Sequence, residues 1–212
     1  MDGFSLIDGL YLAPTPAGAY YAVSDSREDK ARTVLRNVMR QREARPLDEF
    51  WLQRLFGEPG AAAASILADL QDRGYVQGME RAWAPPSGPL DEVIPPLLAG
   101  LSLPGDSVLL ADDHGLALAS HGFDERQAEA LAGVSASLGV LHARHGSLFD
   151  RELGVSSSAW ALVGAGGNSE VGFWPLYIGS SRFVLVIKGF PNLNRPELVD
   201  LIWALNRRYA VN

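Results

Sequence analysis

Residues 107–123 read SVLLADDHGLALASHGF. The run predicts two strands, 107–112 and 116–121, around the polar stretch Asp112-Asp113-His114-Gly115. Two acids and a histidine between apolar strands admit three readings: a catalytic cluster, a metal site, or a turn. Metal ligation needs imidazoles and carboxylates converging from several elements. Here the acids are adjacent, and no second acidic or histidine pair is placed to join them. Aspartate favours turns through local side-chain hydrogen bonds, and glycine supplies positive φ. The stretch is therefore expected to be a hairpin loop.

Working outward, residues 90–101 have a helical pattern, with Pro95 and Pro96 tolerated only near its first turns. A helix over 124–145 follows the hairpin, with strands near 158–164, 170–178 and 182–189 and a last helix over 194–208. The order α-β-β-α-β-β-β-α implies an α+β fold, an antiparallel five-stranded sheet flanked by helices. Phe173 and Trp174 are adjacent in a strand, so they point to opposite faces, and one of them must face something other than the main core.

Three motifs carry a resemblance to a known family. They are the first hairpin, with its acidic-glycine turn leading into a helix; AWALVGAGGNSEVGFWPLYIG (159–179), a strand–turn–strand; and FVLVIKGFPNLNRPELVDLIWAL (183–205), a buried strand, an Asn-rich turn and a closing helix. In this order and spacing, residues 90–210 resemble the roadblock / dynein light-chain family, whose layout is also profilin-like. The resemblance implies a small cytoplasmic homodimer or heterodimer without catalytic residues. Such proteins act as scaffolds, and several bind or regulate Ras-like small GTPases. It also implies that helix 124–145 and the strand after it build the dimer.

Upstream, WAPPSGPL (83–90) marks a boundary, because three prolines and a glycine prevent regular structure. The expected organisation is a module over 1–83, a Pro-rich linker over 84–89 and the α+β domain over 90–212. In the first module, Pro14, Pro16 and Gly18 between two apolar stretches suggest a hairpin over 9–24. Helices are expected over 27–42, 46–56 (with Pro46 in its first turn) and 61–73, then a strand or ribbon over 75–83. ILADLQDRGYVQGM (66–79) resembles the end of winged-helix domains, where the third helix runs through a glycine into the wing. A small helical, winged-helix-like domain is thus expected to precede the sheet domain.

The totals bound function. At roughly 100–200 residues per domain, 212 residues suit one large domain or two small ones. A hydrophobic content of 47% supports a packed core. A net charge of −7 disfavours nonspecific nucleic-acid binding by the whole chain. The lack of cysteine excludes disulfides, thiolate zinc sites and cysteine nucleophiles, and fits a reducing cytosol. MDGFSLIDGLYLAP carries no signal-peptide pattern, and no apolar run is long enough to span a membrane. A cytoplasmic location without membrane insertion is expected.

Within helix 124–145, Leu131, Val134, Leu138 and Leu141 suggest the core-facing stripe. Beside it run Ala128, Ala132, Ser135, Gly139 and His142, nearly all small. Interior Gly133 and Gly139 each cost about 1 kcal/mol against alanine, so they need a reason. Two reasons stand open: close approach of a second helix across a dimer, or close packing on the chain's own sheet. The small stripe, with Trp160 on the next strand, is the candidate dimer or partner interface. His142 and His145 form a bare HxxH that suits a helix end, with Gly146 as the expected stop. GAGGNS (164–169) lacks the register of a nucleotide loop and fits a hairpin. Ser135, Ser137 and serines 156–158 lack a nucleophile elbow. No catalytic residue, metal or cofactor is expected.

Segment 27–45 holds Arg27, Lys30, Arg32, Arg36, Arg40, Arg42 and Arg45 against Glu28, Asp29 and Glu43. Lys30, Arg32, Arg36 and Arg40 are candidate contacts for an acidic partner or phosphate; the alternative is a solvated charged face. The third helix of the module, which in a winged helix enters the major groove, has one arginine and two aspartates and little to grip DNA with. The resulting expectation is a non-catalytic homodimeric adaptor that binds a protein, a small GTPase being one such partner. Two alternatives stand beside it: a winged-helix nucleic-acid-binding regulator dimerised by its C-terminal domain, and a small-ligand sensor with a pocket between the sheet and helix 194–208.

Overall fold

A computed structural model describes residues 6, 7, 9–41 and 45–210. The N-terminal part contains β1 (Tyr11–Pro14), α1 (Pro16–Val23), α2 (Lys30–Arg40), α3 (Glu49–Phe56), α4 (Gly60–Asp72) and β2 (Val76–Met79). The C-terminal part contains α5 (Leu90–Leu101), β3 (Ser107–Ala111), β4 (Ala117–His121), α6 (Glu125–Leu153), β5 (Trp160–Val163), β6 (Ser169–Ile178), β7 (Ser181–Lys188) and α7 (Pro196–Tyr209).

The hairpin expected over 9–24 is instead a strand followed by a helix. Thr15 caps α1 by accepting from the Gly18 N–H (3.1 Å), and Pro16 takes the first helical position, where its missing N–H costs nothing. β1 pairs antiparallel with β2. The Thr15 hydroxyl donates to the Gly74 carbonyl (2.6 Å) and the Thr15 N–H to that of Tyr75 (3.0 Å). A β-carbon on Gly18 would run into the Tyr75 backbone, so glycine lets α1 touch the start of β2. Pro46 does not open α3. It bridges to Tyr11, and Asp48 caps the helix three residues before the Trp51 N–H (2.7 Å). Arg42 and Glu43 lie outside the described residues.

The five strands form one antiparallel sheet, as the element order predicts, and their order in it is β4-β3-β7-β6-β5. Period-two alternation divides its side chains between two faces. Val108, Leu110, Leu185 and Ile187 join the larger core with α5 and α7. Leu109, Ala111, Val184 and Val186 join a smaller core with α6. Phe173 faces α6, while Trp174 packs against the larger core. Pro95 and Pro96 sit inside α5 rather than in its first turn. The carbonyls they leave without a helical donor, those of Asp91 and Glu92, belong to exposed residues.

The larger core does not stop at the linker. Val23, Leu35 and Val38 belong to the same cluster as Ile202 and Trp203, with α1 and α2 against α7. The Pro-rich segment is pinned to α7 at two points. Trp83 Nε1 donates to Asp200 Oδ1 (2.9 Å), and the Arg207 guanidinium donates to the Pro86 carbonyl (3.0 Å).

Burial pushes the Asp200 carboxyl above its ordinary value of 3.8, the Trp83 hydrogen bond pulls it back, and Glu197 adds to the rise. A carboxyl raised in the folded state binds more protons there than in the unfolded chain, so stability falls as pH rises through that window. Asp200→Asn should keep the acceptor for Trp83 and abolish this slope. In melting curves from about pH 3 to about pH 7, its Tm advantage over wild type should grow from about pH 3.8 upward and then level off. A constant difference across the series would refute this role for Asp200.

Candidate protein-interaction surface

The loop that opened the reading is an Asx turn. Asp112 Oδ1 accepts from the backbone N–H groups of His114 (3.0 Å) and Leu116 (2.8 Å), and Gly115 takes φ 84°. Among the described residues no group of three His, Asp or Glu is placed to hold a metal ion. GAGGNS turns between β5 and β6, with the Gly164 N–H on the Asn168 carbonyl (2.9 Å) and Gly167 at φ 81°.

α6 starts at a capping box, Asp124 with Gln127, and runs to Gly154 at φ 64°. Gly146 does not end it; that glycine lies under the His142 ring. The stripe expected to face the core divides: Leu131 and Leu138 pack against the smaller core, while Val134 and Leu141 turn outward. Ala128, Ala132 and Ser135 are buried on the chain's own sheet, against Leu109, Phe173, Val184 and Val186. The sheet offers full-sized side chains, so the helix above it must be small to lie close. Val134 and Leu141, expected in the core, are 43% and 40% exposed. With Leu148 (49%) they recur every seven residues on the open side of α6, and Val140 (63%) stands beside them.

Of the two interior glycines only Gly139 has a reason inside the chain, since a β-carbon on Gly133 would meet nothing within 4 Å. The close approach at Gly133 is required of Gly115 in the hairpin, whose own β-carbon would come to 3.3 Å of the Gly133 Cα. A β-carbon on Gly139 would land on the Arg182 guanidinium, which reaches up from β7. Arg182 escaped the sequence reading because a lone arginine near a strand start looks like a solvated charge.

Gly139, His142 and Trp160 do come together. They line a narrow pocket with Leu138, Tyr177 and Arg182. The His142 and Trp160 rings meet edge to face at 6.4 Å, and Phe149 lies 5.8 Å from Trp160. So three of the six candidate residues are sealed beneath α6 and three are half-buried at its β5 side. β5 pairs only with β6, which makes it an outer strand, and Leu162 and Val163 are exposed on it.

The candidate cations are mostly engaged within the chain. Lys30 pairs with Glu58 (2.6 Å). Arg32 is buried, stacked over Tyr21 (4.2 Å), and bonded to Asp29 and the Tyr21 carbonyl. Arg36 bonds to Glu28 and to the Ala22 carbonyl. Arg40 stays exposed at the end of α2. The seam between α7 and the sheet, expected as a ligand pocket in the sensor reading, is filled by Val199, Ile202 and Trp203. No helix among the described residues is long and apolar enough to cross a membrane.

No family model and no curated protein matches the chain. Among solved structures, a Roadblock/LC7 domain from Streptomyces avermitilis is similar at 19% identity over 53% of this chain and 89% of that one, with a TM-score of 0.34. Myxococcus xanthus MglB is similar at 23% identity over 57% of this chain and 90% of that one, with a TM-score of 0.33. The likeness to these roadblock proteins covers about half the chain.

If Gly139 exists to seat Arg182, the two positions are energetically coupled. Gly139→Ala alone should gain less than the about 1 kcal/mol of helix propensity, because the guanidinium must leave its slot. In an Arg182→Ala background the full gain should return. Urea unfolding of the double-mutant cycle should give a coupling of about 0.5–3 kcal/mol; additive effects would mean that Gly139 serves something else.

Proposed function

We propose that this protein is a non-catalytic cytoplasmic adaptor that forms a homodimer through α6 and β5 and presents the assembled surface to a protein partner. The observation that carries this reading is the solvent-facing ridge Val134, Leu141 and Leu148, with Val140, beside the free edge of β5. A seven-residue repeat on one helix face suits packing against a second helix. Each aliphatic side chain gains about 1.5–3 kcal/mol on full burial, and an outer strand with unpaired backbone groups invites a further strand. Ala128, Ala132 and Ser135 then support the interface from below by holding α6 close to the sheet, while Gly139, His142 and Trp160 flank it.

The partner class follows from the roadblock-like order of elements, which points to a Ras-like small GTPase. Arg32 and Arg36 turn inward, which leaves the nucleic-acid reading with Arg40 alone of its three arginines.

Leu141→Glu and Leu148→Glu place charges on the ridge without touching the monomer core. Light scattering behind size-exclusion chromatography should give a dimer for wild type and a monomer for each variant, with secondary structure kept. A pulldown with wild type and Leu141→Glu in parallel, read by mass spectrometry, should enrich a small GTPase with wild type alone. Variants that stay dimeric would rule out this interface, and a small GTPase recovered equally by both would place its site elsewhere.

A further inference from the structure

The interaction surface makes no use of the cleft where α2, the Pro-rich segment and the end of α7 meet. Its volume is about 880 Å³, within the roughly 300–1,000 Å³ typical of small-molecule sites. Arg40 from the last turn of α2 and Arg207 and Arg208 from the last turn of α7 line it, against one acid, Asp91. Among the described residues none of these three arginines enters an ion pair. The bond from Arg207 to the Pro86 carbonyl fixes one guanidinium against the wall.

Two more features face the same space. α5 begins at Pro89, which offers no side-chain cap, so the first N–H groups of the helix, at Leu90 and Asp91, open on the cleft. Asn206 is fully buried and lines the cleft; its Nδ2 donates to the Ile202 carbonyl (3.0 Å), but its Oδ1 has no donor. That oxygen has no accessible surface, so the occupant is set by the rest of the lining: an acidic group for the arginines and a flat apolar body for the wall formed by Pro86, Val93 and Tyr209.

We infer that this cleft binds a nucleoside monophosphate, with its phosphate among Arg40, Arg207 and Arg208 and its base along the wall of Pro86, Val93 and Tyr209. Bound there, the ligand bridges the N-terminal helices, the linker and α7.

Calorimetric titration of the full chain tests this with adenosine and guanosine 5′-monophosphate, adenosine, and inorganic phosphate as probes. At least one nucleotide should bind and raise Tm, with adenosine and phosphate each at least about tenfold weaker. Arg208→Ala and Arg40→Ala, both at exposed positions, should each weaken nucleotide binding by about tenfold while leaving the unliganded Tm unchanged. Absence of binding at millimolar nucleotide, phosphate binding as tightly as the nucleotides, or nucleotide affinity unchanged in both variants would overturn the assignment.

Discussion

The structure turns on α7, a helix with almost no free side. From Leu198 to Asn206 every residue except Asp200 is buried. A helix that is apolar all round must be covered all round. The sheet covers one flank, α5 lies beside it, and α1 and α2 close the remainder. The N-terminal helices are therefore part of the wall that keeps α7 out of water. The same constraint explains the linker. A Pro-rich stretch is stiff on its own, but here Trp83 and Pro86 are tied to Asp200 and Arg207 on the helix that both halves share.

The sheet meets its two helical layers on different terms. On the α7 side, large residues meet large residues, and the core runs through several helices. On the other side one helix lies across the strands, and it sits close because Ala128, Ala132 and Ser135 keep it thin. Close approach continues along its length. Gly115 lets the β3–β4 hairpin come against the helix backbone, and Gly139 accommodates a guanidinium from β7. Gly139 weakens the isolated helix, and this is offset by a contact that a larger residue would block.

These details set what the sequence reveals. The five strands, the hairpin at Asp112–Gly115 and the boundaries of α5 and α7 are legible because alternation, turn chemistry and helical periodicity are local signals. The orientation of α6 is not. Leu131, Val134, Leu138 and Leu141 make a good amphipathic stripe, and a rule that sends the largest residues inward assigns them to the core. The rule holds for Leu131 and Leu138, which pack on the smaller core, and fails for Val134 and Leu141, because Ala128, Ala132 and Ser135 take the buried line of the contact with the sheet. The helix at 16–23 hides behind two prolines and a glycine, which usually punctuate turns. Thr15 and Pro16 are also a helix start, and only the pairing of β1 with β2, distant in the chain, decides between the two. The inward turn of Arg32 and Arg36 depends on carbonyls of α1 and on Tyr21, so charge counting along 27–45 overstates what is free.

The burial of Ala128, Ala132 and Ser135 changes what the small residues of α6 can mean. A small stripe buried on its own sheet cannot receive a partner helix. The exposed ridge on the other side can, and it arises for the same reason: the large residues that do not fit beneath the helix are displaced to its outer face. The unpaired edge of β5 lies on the same thinly covered side of the molecule, with Leu162 and Val163 exposed on it. The thin packing that gives α6 its position thus also leaves part of its outer face apolar, at Val134, Val140, Leu141 and Leu148.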